Sequence, residues 1–301
     1  MGVTNVSMRL KRKIAVENHY SGNGWNFEKT TKYVFEMNGM MLEAGYFEHY
    51  LGDEFVKAVI ELPVSYGCPA HCRFCASSAI NDFIKLESEQ MKQLLDYIWS
   101  EHELDDNEYI LLSITGTGDL YFNFSNVKRF LGYLSRYKNL HITVSSCFWT
   151  PDNILEIDRL SGEISFRNVQ ITYISDRQKV LSSIVPAYLH REVNFEEVLQ
   201  YLKDSECKYY RINYIMIKDV NDSEKDFRRF IEKIKHVKNK IVVRISKLNE
   251  TKAAERNALC TAEMERARLL EKMLMAAGIK CYLFYAVKND HMNCGQLVTE
   301  Y

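Results

Sequence analysis

The stretch Gly67-Cys68-Pro69-Ala70-His71-Cys72-Arg73-Phe74-Cys75 carries three cysteines at CxxxCxxC spacing. It follows the run FVKAVIELPV at 55–64, whose β-branched and aromatic residues predict a strand. The three thiols therefore belong to one short loop at the end of a strand. In a chain of ordinary length and composition, cysteines this close together favour metal ligation over disulfide bonds.

Similar apolar runs recur along the chain, with amphipathic helical patterns between them. Further strands are expected near 108–114, 140–145, 167–174, 209–217, 240–246 and 280–286, and helices near 87–101, 125–137, 151–160, 194–205, 222–236 and 262–277. Near-continuous apolar strands are typical of parallel sheets covered on both faces. The chain is therefore predicted to be an α/β protein with a partial or complete parallel barrel of the (β/α)6 type, whose chemistry lies at the carboxyl ends of the strands.

The first 50 residues are expected to form a short extension, and residues 51–301 the barrel domain. The extension contains YVFEMNGMMLEAGYF, in which Asn38-Gly39 predicts the turn of a β-hairpin. Before it lies a basic cluster, which can be a solvated tail or an RNA-binding arm. Its members are Arg9, Lys11, Arg12 and Lys13.

Charge and hydropathy limit which partners and which cellular compartment we expect for this chain. The 301 residues include 39 basic and 40 acidic ones, a net charge of -1, so no overall field draws the chain to nucleic acid and no DNA partner is expected. The amino terminus lacks the apolar core of a signal peptide, and no run is long enough to span a membrane. We expect a cytoplasmic protein whose eight cysteines stay reduced.

The CxxxCxxC loop supplies three ligands, which suits a 4Fe-4S cluster with one iron left open. An open iron can chelate the amino and carboxylate groups of a methionine. Phe74, just before the last cysteine, is placed to flank an adenine group attached to that methionine. The alternative is a closed Cys3His zinc site in which His71 is the fourth ligand.

Two motifs follow at later strand ends. Gly116-Thr117-Gly118-Asp119-Leu120 has glycines that let a backbone approach a ligand closely, and Asp119 can accept hydrogen bonds from an ammonium group. Ser145 and Thr172 present hydroxyls that can bind a ribose or a carboxylate. The alternatives are a tight turn before a helix and hydroxyls satisfied by the backbone.

Near the carboxyl end lies Asn293-Cys294-Gly295-Gln296-Leu297, whose thiol is either buried or presented to the barrel mouth. With the cysteine triad, the GxGD motif and this CGQL, the sequence resembles the RlmN/Cfr family, the class A radical S-adenosylmethionine (SAM) methyltransferases that methylate adenosine in RNA. The resemblance implies a 4Fe-4S cluster on Cys68, Cys72 and Cys75, SAM as cofactor, and an electron donor such as flavodoxin or ferredoxin. RNA or a nucleotide would be the substrate.

The resemblance also implies roles for single residues. Cys294 would carry a methyl group, Glu43 would accept a proton, and SAM would be held by Gly118, Asp119, Ser145 and Thr172. The family has a second cysteine where this chain has Glu61, and a carboxylate cannot perform the thiol exchange that frees the product. Cys147 or Cys281 would then supply the thiol for that exchange.

Two other functions stay open. In one, the radical attacks a small molecule or peptide directly, and Glu61 is a base or anchor facing the substrate, or a surface carboxylate at a strand end. In the other, the chain is a zinc-binding or RNA-binding module without catalysis.

Overall fold

The computed structural model describes residues 8–19, 26–104, 109–137, 139–192, 195–285 and 295–300. Ten strands of the described chain form one sheet, in the order β1-β2-β3-β4-β7-β8-β9-β10-β11-β12, and β5 and β6 form a two-stranded ribbon. The strands are β1 Met8–His19, β2 Phe27–Met37, β3 Met40–Leu51, β4 Glu54–Glu61, β5 Ser65–Tyr66, β6 Ile84–Lys85, β7 Ile110–Ile114, β8 Leu140–Ser146, β9 Ser165–Tyr173, β10 Tyr210–Met216, β11 Ile241–Lys247 and β12 Cys281–Phe284.

The sheet changes character at β4. Strands β1 to β4 pair antiparallel. From β4 onward, through β7 to β12, neighbouring strands are parallel. The seven predicted strands of the barrel are thus confirmed, and so is the α/β class with a parallel sheet. The division of the chain at residue 50 stays a prediction, since the extension and the barrel share this sheet.

Helices connect the parallel strands, because a connection between parallel neighbours has to cross back over the sheet. They are α1 Ser88–Glu101, α2 Phe124–Tyr133, α3 Pro151–Leu160, α4 Gln178–Ile184, α5 Phe195–Asp204, α6 Glu224–Ile234, α7 Lys252–Arg256 and α8 Met264–Ala276. The six predicted helices are present. The short α4 and α7 were not predicted, because seven and five residues hold too few turns to show an apolar period.

The two faces of the parallel sheet differ in chemistry. One face packs on the helices and is apolar: Ile60, Leu112, Ile212 and Val243 are completely buried there. The opposite face carries Glu61, Ser113, Ser145, Gln170 and Asn213 at the alternate positions of the same strands. We call it the inner face. The helices therefore cover the apolar outer face of the sheet, and the polar side chains that can take part in chemistry line the inner face.

The predicted hairpin is confirmed, since β2 and β3 pair from Met37 and Met40 outward. Asn38 and Gly39 both have positive φ, 50° and 78°, as a type I′ turn needs. The interpretation of the basic cluster as a solvated tail, in contrast, is wrong. Arg9 to Lys13 belong to β1, an edge strand that is paired with β2. Edge strands commonly carry lysine, which discourages pairing with other chains.

Candidate active site

The cysteine loop begins directly after β5 and is shaped by its first glycine. Gly67 has φ +65°, and a Cβ there would lie only 2.0 Å from the Asp82 carbonyl oxygen. The peptides inside the loop close on themselves, because Cys75 N donates to Cys72 O at 3.0 Å and His71 N to Cys68 O at 3.4 Å. Three thiols are therefore gathered on nine residues of backbone with a fixed course.

The three thiols lie in one apolar cluster. Cys72 is buried, and Cys68 and Cys75 are half-buried. A hydrogen bond with the Cys147 thiol, and then burial, raises the pKa of Cys72; burial, and then the nearby Asp119 carboxylate, raises the pKa of Cys68. Without a metal these thiols keep their protons, and metal binding displaces them.

The donor set fits an iron-sulfur cluster with three protein ligands. His71, the fourth ligand of the zinc alternative, has an exposed side chain, whereas the neighbouring Cys72 is buried. Within the described chain, no three His, Cys, Asp or Glu side chains are grouped so that one metal ion could be held. A 4Fe-4S cluster makes a different demand, because each thiolate binds its own iron.

Three other parts of the chain hold the loop from outside. Arg73 N donates to Ile184 O at 2.9 Å, at the end of α4. The threonine that caps α7, Thr251, donates through Oγ1 to Phe74 O at 2.8 Å, and Asn257 donates to Arg73 O at 3.0 Å. Phe74 is half-buried in the apolar cluster of the thiols. The two helices that the sequence did not predict are therefore the ones that position this loop.

The glycines of the GxGD motif lie very close to residues 62–65 of the same chain. A Cβ on Gly116 would lie 2.7 Å from Leu62 O, and one on Gly118, with φ +95°, would lie 2.0 Å from Ser65 Oγ. Thr117 O accepts from Val64 N at 2.9 Å, which joins this loop to the segment that leads into the cysteines. In the structure these glycines admit residues 62–65, and their predicted part in admitting a ligand stays a prediction.

Asp119 is the polar centre of this part of the site. Its Oδ1 accepts from Tyr121 N at 3.0 Å and from Ser146 Oγ at 2.5 Å, and its Oδ2 accepts from Cys147 N at 2.8 Å. Burial raises the pKa of the Asp119 carboxyl, and these three hydrogen bonds oppose the rise. The carboxylate thus ties the end of β8 to the loop after β7, and its fourth lone-pair position can accept from a ligand.

The two predicted hydroxyls meet on adjacent strands of the inner face. Ser145 Oγ and Thr172 Oγ1 are 3.4 Å apart. Gln170, which the sequence did not single out, donates to Ser145 Oγ at 2.9 Å. Its place between Val169 and Ile171 was the available signal, since an amide that is buried among apolar residues needs a partner.

Glu43 holds the segment that follows Cys294. Its carboxylate accepts from Val298 N at 3.0 Å, Thr299 N at 2.7 Å and Thr299 Oγ1 at 2.6 Å. Gly295 O accepts from Ala76 N at 2.8 Å, one residue beyond Cys75. Cys294 itself lies outside the described residues. Its covalent neighbour Gly295 is nevertheless hydrogen-bonded to the cysteine loop.

Glu61 is not the surface carboxylate that one interpretation allowed. It is 9% exposed and forms an ion pair with Lys32, whose Nζ lies 2.8 Å from Glu61 Oε1. Thr115 donates to the other oxygen at 3.2 Å. Between the two charges lies Gly45, which is in register with both, and this position without a side chain lets Lys32 reach across β3.

Removing one charge of this pair is expected to be costly. Lys32→Met should lower the free energy of unfolding by about 3 kcal/mol or more, because Glu61 is left charged and buried. The double variant Lys32→Met/Glu61→Leu should recover most of that loss. The exposed pair of Lys11 and Glu36 gives the control, since Lys11→Met should cost less than about 1 kcal/mol. Urea unfolding of the four proteins measures this, and equal costs for the two lysine variants would contradict it.

The thiols suggested to replace the missing second cysteine lie at different ends of the barrel. Cys147 follows β8 and packs against the apolar cluster that contains the three thiols of the loop. Cys281 is the first residue of β12, at the amino-terminal end of a parallel strand, and its thiol contacts Glu271 O of α8 at 3.7 Å. Of these two, only Cys147 is near the cysteine loop.

Comparison with known proteins agrees with this geometry. A probable dual-specificity RNA methyltransferase RlmN of Clostridioides difficile is 26% identical over 222 residues, which are 69% of this chain and 59% of that protein. Its counterpart in Pseudothermotoga lettingae is 25% identical over 281 residues, 90% of this chain and 76% of that one. None of the protein-family models matches the chain. No helix among the described residues is long and apolar enough to cross a membrane.

Among solved structures, a radical SAM methyltransferase from Sphaerobacter thermophilus has the same fold, with a TM-score of 0.74 at 21% identity over 97% of this chain and 82% of that one. In fold the chain resembles a radical SAM methyltransferase, and in sequence it resembles RlmN-type enzymes, which makes it RlmN/Cfr-like. SAM and a 4Fe-4S cluster are the cofactors that this likeness implies.

Proposed function

We propose that this chain cleaves SAM reductively at a 4Fe-4S cluster on Cys68, Cys72 and Cys75, and that it methylates adenosine, in RNA or in a nucleotide, through Cys294. When bound, the cluster and SAM supply a 5'-deoxyadenosyl radical. An electron donor such as flavodoxin or ferredoxin would provide the electron. The seven described cysteines are free thiols, which agrees with a reducing cytoplasm.

One observation carries the methylation proposal: Gly295 O accepts from Ala76 N at 2.8 Å. This bond fastens the residue after Cys294 to the residue after Cys75. A thiol that first accepts a methyl group and then offers it to the radical has to be near the cluster in both steps. Glu43 supports the same placement, since it holds Val298 and Thr299. We propose Glu43 as a positioning residue for this segment, besides its predicted part as proton acceptor.

SAM would be held where the predicted binding residues converge. Asp119 has one accepting position left for the ammonium group, and Ser145 and Thr172 lie together on the inner face for a ribose or carboxylate. Gly118 lets this loop fold against residues 64–65, which brings Asp119 beside Cys68. Phe74 offers an aromatic surface next to the thiols for the adenine.

Release of the product needs a thiolate that attacks the sulfur of Cys294. The bond between that sulfur and the substrate carbon then breaks, its electron pair goes to the carbon, which takes a proton, and a disulfide remains for an external thiol to reduce. Glu61 cannot do this. We assign the step to Cys147, because it is at the cysteine loop and Cys281 is at the opposite end of the barrel.

Methyl-labelled SAM tests the methylation proposal. In anaerobic, cluster-reconstituted protein with a reductant, the label should appear as a thioether on Cys294 and then in adenosine. Cys294→Ala should remove both signals and leave SAM cleavage intact, and Cys147→Ala should accumulate a covalent complex of protein and substrate. Mass spectrometry of protein and substrate gives the answer, and an unlabelled Cys294 would refute methyl transfer.

A second function is favoured by the buried pair of Lys32 and Glu61 at the place of the family's second cysteine. A fixed ion pair on the inner face can orient a small polar molecule or peptide for direct attack by the radical. The Cys294→Ala variant separates the two functions, because direct attack needs no thiol and its turnover would be unchanged.

A further inference from the structure

A short 3-10 helix, Pro186–His190, follows α4 and contacts two parts of the candidate active site. Ala187 N donates to Ala70 O at 3.3 Å, in the loop between the first two cysteines of the triad. From the next residue, the Tyr188 hydroxyl donates to Cys147 O at 2.5 Å. This one short helix therefore joins the loop that carries the thiols to the residue that follows β8.

The hydroxyl of Tyr188 acts on Asp119 through the backbone of Cys147. Tyr188 holds Cys147 by its carbonyl oxygen, and Asp119 Oδ2 accepts from the N–H of the same residue at 2.8 Å. A residue that is hydrogen-bonded at both its N–H and its C=O has little freedom to move. The direction from which Asp119 Oδ2 receives its hydrogen bond is thus fixed by Tyr188.

The ring of Tyr188 acts on the other oxygen of the same carboxylate. It stacks on the ring of Phe148, with the two centroids 4.7 Å apart and an angle of 19° between the planes. Phe148 N donates to Ser146 Oγ at 2.8 Å, and Ser146 Oγ donates to Asp119 Oδ1 at 2.5 Å. Both oxygens of Asp119 therefore receive hydrogen bonds from residues that lead back to Tyr188.

Tyr188 is itself firmly held. Its side chain is buried, and Gln178 at the start of α4 donates to its carbonyl oxygen. Its N–H donates to Val185 O at 3.0 Å. Burial raises the pKa of Tyr188, so the phenol keeps its proton at neutral pH and remains a donor. The side chain can therefore hold Cys147 in one place without any change of charge.

We propose that Tyr188 is a positioning residue for SAM, because it orients the Asp119 carboxylate relative to the cysteine loop. The proposal rests on the proposed function, which places the ammonium group of SAM at Asp119. Since Ala187 is hydrogen-bonded to the cysteine loop, the thiols and the carboxylate are both connected to one short helix. A cluster and a carboxylate that bind one molecule together have to keep a constant separation, because a shift of about 1 Å can cost much of their joint effect.

Calorimetric titration of the cluster-reconstituted full-length chain with SAM, without reductant, measures this role without turnover. Tyr188→Phe keeps the ring and loses the hydroxyl, and it should weaken SAM binding about tenfold, as the loss of one hydrogen bond can. Tyr201→Phe is the matched control. The Tyr201 hydroxyl donates to Asp158 at 2.6 Å and joins α5 to α3, so this variant also loses one tyrosine hydrogen bond but should bind SAM like the wild type.

A double-mutant cycle shows whether Tyr188 acts through Asp119. Asp119→Asn should weaken SAM binding about thirtyfold or more, because a charge-assisted hydrogen bond is lost. Tyr188→Phe should then cost no further affinity in the Asp119→Asn background. A merely structural role of Tyr188 would lower the iron content and the thermal stability of Tyr188→Phe, and it would add its full cost in that background.

The outcomes distinguish this proposal from the function on which it rests. Wild-type affinity in Tyr188→Phe, an equal loss in Tyr188→Phe and Tyr201→Phe, or full additivity with Asp119→Asn overturns the role of Tyr188. Wild-type affinity in Asp119→Asn shows that SAM is not held there, so the proposed placement of SAM fails and this role of Tyr188 fails with it. A failure of methyl transfer alone leaves the proposal standing, since SAM binding is measured without it.

Discussion

Replacing Cys72 by alanine is expected to abolish both the iron-sulfur chromophore and SAM cleavage, since the cluster would lose its most deeply buried ligand. The thiol is enclosed by the apolar cluster around it, so water is poorly placed to supply a substitute ligand there. We expect no 5'-deoxyadenosine above background from the variant after anaerobic reconstitution. Iron and sulfide analysis and absorption spectroscopy measure the loss of the cluster, and product chromatography measures the loss of SAM cleavage.

Cys260→Ala is the control for this experiment. Cys260 is exposed, and it contacts the rest of the protein through its carbonyl oxygen, which accepts from Lys218 N at 3.0 Å and is kept in the variant. Its iron content and SAM cleavage should equal those of the wild type. A Cys72→Ala protein that kept a full cluster would show that the CxxxCxxC loop does not hold it, and the assignment of the site would fall.

Gly118→Ala is expected to lower the free energy of unfolding by about 3 kcal/mol or more, which puts it among the most damaging single substitutions. The new methyl group would lie 2.0 Å from Ser65 Oγ and 2.9 Å from Val64, and alanine is strained at φ +95°. Because this loop supports the segment before Cys68, cluster content should fall together with stability. Thermal unfolding and iron analysis test both.

The matched variant is Gly132→Ala. Gly132 is exposed on α2, and a Cβ there would meet nothing within 4 Å. Alanine in a helix is favoured over glycine by about 1 kcal/mol, so this variant should be slightly more stable than the wild type and keep its cluster. If the two variants behave alike, the close approach of Gly118 to Ser65 is not what requires glycine.

The barrel could be predicted because each of its strands carries its own local signal. Each of the seven runs is rich in β-branched and aromatic residues, and it shows this without reference to the others. The cysteine triad was readable for the same reason, since its spacing is complete within nine residues. The edge strand β1 was missed because seven of its twelve residues are exposed, which left only a basic pattern to interpret.

The contacts that complete the site could not be predicted, since each joins distant parts of the chain. Asp119 finds its partners at Ser146 and Cys147, and Glu61 finds Lys32 across a strand that happens to have glycine in register. Local pattern indicates which residues are polar and buried, but the pairing among them follows from strand order and curvature.

The hydrogen bonds that Thr299 donates to Glu43 have a consequence for the order in which the protein folds. These residues are 256 positions apart, so this hydrogen bond cannot form until every strand of the barrel has been synthesised. Until residues 295–299 are in place, the contact between Gly295 and Ala76 beside the cysteine loop is missing as well. We expect iron and sulfide to reach the loop more readily in that interval.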